Sequence, residues 1–460
     1  MILGIGLVIG GCARKKSTSW ESIKNPEVLA QLKSFVAEKE AQANAATNAA
    51  APGFAPFFAA AKTGDWLAVS NAFVDFRKHA GQYEHSGTDD EHLRGPRWEA
   101  VKEVWGAFDA FGEGDEKYAA AFGRDIIATI PPGSVYFGGT DAGRFIVTAL
   151  CRSQVNGDPF FVLTQNAVAD TTYLQYLREM YGGKMVVPTD EDSQKSFQDY
   201  TTDAQRRLAH DQQFPNEPRQ LKPGEEVRLD SNGRIQLSGQ MNVIGIRELL
   251  TKTIFDKNPD REFYIEESFP LDWMYPQLEP HGLIFKLNRQ PAAKLSDEAV
   301  QNDHDYWAKY VQPMIGGWLN DDTSVAEVAA FAEKTFGRQN FSGFKGDPRF
   351  IQNAYSHRMF SKLRSSIAGL YAWRVSHAAG AEDKDRMARE ADFAFRQAWA
   401  LCPYSPEAVF RYVNFLLGQK RVADAVLVAE TAAKMPKSKG EAGAQLRSLV
   451  EQLKKFQNRK

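Results

Sequence analysis

The chain has 460 residues, enough for about two to four compact units, and 43% of them are hydrophobic and 25% charged. These proportions exclude a largely disordered chain and a multi-pass membrane protein. The formal net charge of −2 provides no attraction for a polyanion, so no nucleic-acid partner is predicted.

A short apolar run stands at the amino terminus. Residues 2–11 are all apolar or glycine, too short for the ~20 residues of a membrane span but suited to the core of a signal peptide. The run ends in Ile9-Gly10-Gly11-Cys12, which resembles a lipobox, the motif in which the cysteine is acylated. Residues 1–12 are therefore predicted to be a lipoprotein signal peptide. Cys12 would anchor the chain to a membrane of the cell envelope, with the folded part facing the periplasm or the exterior.

The apolar run lacks one usual feature of a signal peptide. No lysine or arginine precedes it, although signal peptides normally carry one there. Two explanations stay open. The true start of the protein lies upstream of Met1, or the run is the remnant of a longer hydrophobic helix from a lost membrane domain.

The region after the signal peptide is predicted to be mainly helical. Residues 13–60 are typical of a tether and linker with partial helix, and residues 61–130 of an amino-terminal helical region. In both, apolar side chains recur at intervals of three and four residues, which is the spacing of one helix face. The predicted helices cover residues 57–78 with a break at 63–65, residues 98–111 and residues 116–129.

The pattern changes at residue 131, where short apolar runs begin to alternate with helical ones. Strands that alternate with helices indicate a parallel sheet covered on both faces. Residues 131–290 are therefore predicted to form an α/β domain with a doubly wound, mostly parallel sheet. A separate hairpin is predicted around Asn232-Gly233, which supplies the positive φ angles of a tight turn. The predicted strands of the sheet cover residues 134–137, 159–164, 185–187, 263–265 and 283–287.

The carboxy-terminal part is predicted to be all-α: residues 291–378 form a helical region, residues 379–440 a repeat, and residues 441–460 a terminal helix or tail. Two similar sets of residues lie about 34 positions apart in the repeat. They are Ala391, Phe395, Ala398 and Pro403, and Ala425, Ala429, Ala432 and Pro436. The pattern resembles the tetratricopeptide repeat, in which small residues let paired helices approach closely.

Three interpretations of this repeat stay open. Fewer than three repeats seldom stand alone, so the helices are expected to pack on residues 361–377. They would form a groove for a protein partner, or they would only buttress the α/β domain. A generic helical hairpin is the third interpretation.

Four stretches of the chain resemble one protein family. They are residues 130–141 (IPPGSVYFGGTD), 164–167 (TQNA), 266–269 (EESF) and 273–276 (WMYP). They look like the soluble carboxy-terminal part of bacterial membrane proteins that are related to protein O-mannosyltransferases and are often followed by tetratricopeptide repeats. The resemblance covers about residues 120–440, and the membrane-embedded transferase part is absent from it. It implies an extracytoplasmic accessory domain rather than a transferase, and it carries over no catalytic residue.

Two loops hold the candidate ligand-binding residues, because ligands of a doubly wound sheet bind outside the carboxyl ends of its strands. The glycines permit close backbone approach, and the amides suit sugar hydroxyls or peptide carbonyls. The first loop contributes Gly138, Gly139, Thr140 and Asp141, with Arg144 one turn into the following helix. The second loop contributes Gln165, Asn166 and Asp170.

Each candidate also has a purely structural interpretation. Asp141 and Asp170 are well placed to be simple helix caps. A third loop begins at Glu266-Glu267, where paired acids suggest acid–base chemistry, but neighbours on a strand point to opposite faces.

The sequence predicts neither a metal site nor a reactive cysteine. His85, Asp89, Asp90 and His92 have side chains that ligate metals, but they lie in a polar loop where solvated side chains are expected. Cys151 and Cys402 lie in apolar contexts and form either one disulfide or two buried thiols. No phosphate-binding loop, nucleophile elbow, zinc-protease helix or EF-hand loop is present, so no catalytic residue, metal or cofactor is assigned.

Two functions follow from these features. The first is a non-enzymatic lipoprotein of the cell envelope that binds a glycan, or a protein partner through its carboxy-terminal helices. The alternative is a binding protein or enzyme for a sugar or similar polar ligand at the two loops.

Overall fold

The computed structural model describes residues 23–45, 54–79, 95, 97–139, 142–231, 233–266, 270–437 and 440–457. The chain divides into two compact units, each made of two stretches: Met1–Trp105 with Arg152–Arg261, and Gly106–Cys151 with Glu262–Lys460. Several predictions fall outside the described residues. They concern the signal peptide, Cys12, the four candidate metal ligands of residues 85–92, Thr140, Asp141, Asn232 and Glu267.

Helices make up most of the described chain. They are α1 (Pro26–Ala45), α2 (Ala55–Thr63), α3 (Trp66–His79), α4 (Arg97–Glu113), α5 (Glu116–Thr129), α6 (Ala142–Leu150), α7 (Thr171–Tyr181), α8 (Asp190–Gln213), α9 (Gln240–Lys257), α10 (Asp297–Ile315), α11 (Val325–Ala332), α12 (Pro348–Gln352), α13 (Ala354–His377), α14 (Ala381–Leu401), α15 (Pro406–Gly418), α16 (Val422–Lys434) and α17 (Gly440–Gln457). The strands are β1 (Val135–Gly138), β2 (Phe161–Thr164), β3 (Glu226–Leu229), β4 (Ile235–Ser238), β5 (Phe263–Glu266), β6 (Leu278–His281) and β7 (Ile284–Leu287). The predicted combination of an α/β part and an all-α part is therefore confirmed.

Local signals in the first unit place its helices correctly. The break between α2 and α3 falls at Gly64, whose φ of 73° is in the left-handed region that glycine adopts without strain. At the start of α8, Thr189 and Asp192 form a capping box, in which each side chain accepts from the other residue's backbone N–H. The predicted hairpin forms from β3 and β4, which are antiparallel.

The predicted strand at residues 185–187 is wrong. The backbone there is not part of any strand. Val186 donates its N–H to Asn258 Oδ1 at 2.8 Å, and its carbonyl accepts from Asn258 Nδ2 at 2.9 Å. One asparagine side chain therefore satisfies the backbone groups that a neighbouring strand would otherwise pair.

The first unit also buries an ion pair in its core. Lys39 on α1 lies 2.6 Å from Glu103 on α4, with side chains 0% and 1% exposed. The Tyr176 hydroxyl on α7 donates to the same carboxylate at 2.7 Å. A buried charge is tolerated only when it is paired and hydrogen-bonded, and these contacts meet that requirement.

Four strands in the second unit form a mixed sheet in the order β1–β5–β7–β6. β1 and β5 are parallel, whereas β5–β7 and β6–β7 are antiparallel. The prediction of a mostly parallel sheet is wrong for these strands, because β6 and β7 form a hairpin through a turn at Gly282 (φ 59°). β6 went unpredicted since Pro280 interrupts its apolar pattern, and proline is tolerated in a strand at the edge of a sheet.

The carboxy-terminal helices of the second unit pack through small and polar residues. The alanines of both predicted repeat sets are 0% exposed: Ala391, Ala398, Ala425, Ala429 and Ala432. As expected, α14 packs on α13, where the Ser361 hydroxyl donates to the Ala398 carbonyl at 2.7 Å. Of the two alternatives for the cysteines, the structure shows Cys151 and Cys402 buried and not bonded to each other.

Candidate functional site

The carboxyl ends of two parallel strands meet at one edge of the second unit's sheet. In the register between β1 and β5, Gly138 is the partner of Glu266, so both strands end at the same level. Gly139 follows directly and donates its N–H to Glu266 Oε2 at 3.5 Å. The first predicted loop thus lies against the residue that opens the third.

Glu266 is a buried carboxylate with a cationic partner. Its side chain is 1% exposed, and its Oε1 lies 3.2 Å from Lys362 Nζ on α13. The Lys362 side chain is 13% exposed, so most of it is withdrawn from water. The pair joins the sheet edge to the carboxy-terminal helices within the second unit.

Two glycines near this pair have no room for a side chain. A Cβ on Gly143, in the first turn of α6, would lie 2.9 Å from the Glu266 carboxyl carbon and 2.9 Å from Phe122 Cζ. A Cβ on Gly138 would lie 2.6 Å from Arg144 Cβ. The close approach predicted for the glycines is therefore an approach to the chain's own side chains.

Arg144 is buried within α6 and adds a cation near this loop. It is 3% exposed, and its guanidinium carbon lies 4.8 Å from the centre of the Phe145 ring. An arginine over an aromatic face is stabilised by the ring's quadrupole.

The electrostatics of Lys362 differ from those of a surface lysine. Burial, with a contribution from Arg411, lowers the pKa of Lys362 to about 8, while Glu407 acts in the opposite direction. Glu407 and Arg411 lie four residues apart on α15, hence on one helix face. A Cβ on Gly369, two turns beyond Lys362 on α13, would lie 3.7 Å from Arg411 Nη1. Besides Glu266, one carboxylate and one guanidinium group therefore act electrostatically on the amine.

An aromatic pair lies on the next part of α13. Tyr275, in the 3₁₀ turn Asp272–Gln277, stacks on Trp373 with ring centres 5.6 Å apart. Arg374 fixes this turn by donating to the Pro276 carbonyl at 3.0 Å and the Ala292 carbonyl at 2.6 Å. Burial raises the pKa of Tyr275, and Arg411 opposes that shift. Arg411 therefore influences both Lys362 and this aromatic pair.

The second predicted loop belongs to the first unit. Gln165 is 0% exposed, and neither Oε1 nor Nε2 of its amide has a hydrogen-bond partner among the described residues. Asn166 accepts a hydrogen bond from Arg247 Nη1 on α9. The Asp170 side chain accepts from Thr172 N at 2.8 Å and caps α7, which agrees with its structural interpretation.

Sequence reasoning identified the loop glycines and Arg144 but missed Lys362, Glu407 and Arg411. These three residues lie on helices that read as ordinary amphipathic segments, and no local motif distinguishes them. Glu266 was considered only as half of an acidic pair. The position of Glu266 at the end of a buried strand is the feature that distinguishes it from an exposed acid.

Metal sites and membrane spans are both absent from the described ranges. These ranges contain no group of three or more histidine, cysteine, aspartate or glutamate residues that is able to hold a metal ion. They also contain no helix that is both long and apolar enough to cross a membrane.

Comparisons with protein-family models, with curated proteins and with solved structures gave no match to this chain.

Proposed function

We propose that this chain is an envelope lipoprotein whose second unit binds a polyhydroxylated ligand, such as a glycan, at the carboxyl ends of β1 and β5. The observation that carries this proposal is the pair of Glu266 and Lys362 beneath the Gly138-Gly139 backbone, with 3.2 Å between the charged atoms. Ligand sites of α/β sheets lie outside the carboxyl ends of strands, and this pair stands at that position.

The charges around the pair suit hydroxyl groups better than a simple ion. Glu266 and Glu407 supply acceptors, and Lys362 and Arg411 supply donors, so a sugar with adjacent hydroxyls has a partner for each role.

The carboxy-terminal helices serve this site in our proposal as a buttress rather than as a groove for a protein. α13 with α14, and α15 with α16, are proposed to be tetratricopeptide-like pairs. The face of α13 that would line a groove instead contacts the chain's own residues, through Lys362, Trp373 and Arg374. The resemblance to the soluble part of the mannosyltransferase-related proteins supports a glycan as the ligand and an extracytoplasmic location.

The lipid anchor is a separate part of the proposal and rests on the lipobox-like sequence before Cys12. Incorporation of radiolabelled palmitate by the wild type, and none by Cys12→Ala, is the expected result. Equal labelling of both proteins, or labelling of neither, would contradict the anchor and favour a remnant of a membrane helix.

Ligand binding is tested by screening the protein against an array of oligosaccharides and titrating the best binder by calorimetry. Lys362→Met and Glu266→Gln should each weaken binding at least ~10-fold, since each removes a charge-assisted hydrogen bond of about 1.5–3 kcal/mol. Lys286→Met is the matched control, because Lys286 pairs with Glu262 at 2.6 Å on the exposed surface of the same unit. Unchanged affinity in both site variants would exclude this location.

A further inference from the structure

The arrangement of Lys362 and Glu266 goes beyond simple binding. We infer that Lys362 is a nucleophilic amine that forms an imine with an aldehyde or ketone group of the ligand, and that Glu266 is its base. The inference rests on the proposed function and deepens it, because it assigns a carbonyl group, such as that of an open-chain reducing sugar, to the ligand of the same site.

The geometry is that of an activated nucleophile. Such a group has a base within hydrogen-bond reach, and the base is oriented by a third group. Here the base Glu266 lies 3.2 Å from the amine, and the Gly139 N–H donates to its other oxygen at 3.5 Å. Gly143 lies against the same carboxylate, since a Cβ at that position would be 2.9 Å from the Glu266 carboxyl carbon.

The environment keeps a useful share of the amine neutral. Burial and Arg411 lower the pKa of Lys362 to about 8. A lysine with a lowered pKa holds a larger neutral fraction at pH 8 than a lysine with the ordinary pKa of about 10.4.

The proposed step balances without any additional reactant. Glu266 removes a proton from the Lys362 ammonium group, and the Nζ lone pair attacks the carbonyl carbon. The carbonyl π electrons move to oxygen, the two protons that remain on nitrogen are transferred to that oxygen, and the oxygen leaves as water. One amine and one carbonyl thus give one imine and one water, with no oxidant or reductant. Hydrolysis reverses the step and releases the ligand.

The Lys362 side chain is less completely buried than that of Glu266. The Glu266 side chain is 1% exposed, but the Lys362 side chain retains 13% of its exposure. Desolvated lysines that form such adducts combine partial access with a suppressed ammonium form.

The test is reductive trapping of the full-length protein with glycolaldehyde and sodium cyanoborohydride at pH 8, followed by peptide mass mapping. Cyanoborohydride reduces the imine to a stable amine, so each reacting lysine gains a defined mass. We expect Lys362 to be labelled at least ~10-fold faster than Lys286, whose side chain is 30% exposed. Labelling of Lys362 at the rate of Lys286 or below overturns the inference.

The role of Glu266 has its own readout. Glu266→Gln should slow the labelling of Lys362 and leave that of Lys286 unchanged, while circular dichroism reports whether the variant is folded. If the folded variant labels Lys362 at the wild-type rate, Glu266 is not the base. The wild-type measurement stands even if the variant fails to fold.

The outcomes separate this inference from the proposed function. Binding of an oligosaccharide without trapping at Lys362 overturns the imine and supports the binding site. Trapping at Lys362 without binding of any oligosaccharide supports the imine and overturns the glycan. A reducing sugar that binds more tightly than its borohydride-reduced alditol supports both.

Discussion

Lys362 on α13 and Glu266 at the end of β5 are joined by a 3.2 Å contact across 96 residues of sequence. The contact connects the sheet edge to the helical part of the second unit, and it withdraws both charges from bulk water. If the pair is only structural, replacing either residue lowers stability. If the pair is functional, replacement also changes ligand binding and the trapping of Lys362.

Removal of one partner of this pair should destabilise the second unit. Lys362→Met leaves the Glu266 carboxylate buried without its cation, and breaking buried pairs typically costs about 3–5 kcal/mol. We expect a loss of about 3 kcal/mol in the free energy of unfolding, measured by urea titration. Adding Glu266→Gln should recover part of this loss, and Lys286→Met should change stability by less than ~1 kcal/mol. A full loss that persists in the double variant would contradict the pairing.

Gly143→Ala should damage the site through sterics alone. The added methyl group would meet the Glu266 carboxylate and Phe122 at 2.9 Å, and such overpacking costs about 1–3 kcal/mol. The displaced carboxylate should also slow the trapping of Lys362. Gly418→Ala is the control, since a methyl group at that position would have no neighbouring atom within 4 Å, and its stability should be unchanged or slightly higher. If Gly143→Ala changes neither the stability nor the trapping of Lys362, the loop adjusts freely to the added methyl group.

Asp109 on α4 should make the stability of the second unit depend on pH. Burial, aided by the nearby Glu113, raises the pKa of Asp109 to about 6. A raised pKa in the folded state stabilises the fold below the unfolded value of about 3.8, and the contribution is lost as pH rises through 6. Asp109→Asn mimics the neutral form, so it should raise the free energy of unfolding at pH 7 by about 1–3 kcal/mol and change it little at pH 3.

The pH series for Asp109→Asn is compared with Asp305→Asn, an exposed aspartate of the same unit. The control should show no difference between pH 3 and pH 7 beyond a few tenths of a kcal/mol. Equal stabilisation of Asp109→Asn at both pH values would mean that its effect does not come from the carboxylate's charge.

The buried pair of Lys39 and Glu103 should stabilise the first unit in the same manner. Lys39→Met removes a cation that is 0% exposed and leaves Glu103 with the Tyr176 hydroxyl. We expect a loss of about 3–5 kcal/mol by urea unfolding. Lys39→Met with Glu103→Leu should be closer to the wild type, because both charges are then replaced by apolar groups. Lys195→Met on the exposed face of α8 is the control, with an expected change below ~1 kcal/mol.

Local sequence signals were sufficient for several helix ends and turns. The cap at Asp170, the capping box of Thr189 and Asp192, and the glycine at position 64 each act within a few residues, so a single sequence reveals them. The strand predicted at residues 185–187 failed because its backbone groups are satisfied by Asn258, about 70 residues away. Apolar pattern alone does not report where hydrogen-bond partners come from.

The candidate site was likewise predicted only in part from the sequence. Gly138, Gly139 and Arg144 follow a strand, and the rule for strand ends was enough to select them. Lys362 and Arg411 are brought near Glu266 because α13 packs on the sheet and α15 packs on α13, and such packing depends on long-range contacts. A lysine on a helix gives no sign in the sequence that its surroundings lower its pKa.

The most direct test of the proposed site is chemical footprinting of Lys362 in the presence of a bound oligosaccharide. The protein is treated with acetic anhydride at pH 8, with and without saturating amounts of the sugar selected by array and calorimetry, and the acetylation of each lysine is measured by mass spectrometry. A ligand at the carboxyl ends of β1 and β5 predicts at least ~5-fold slower acetylation of Lys362 and an unchanged rate at Lys286. Equal acetylation of Lys362 with and without saturating sugar would contradict the site.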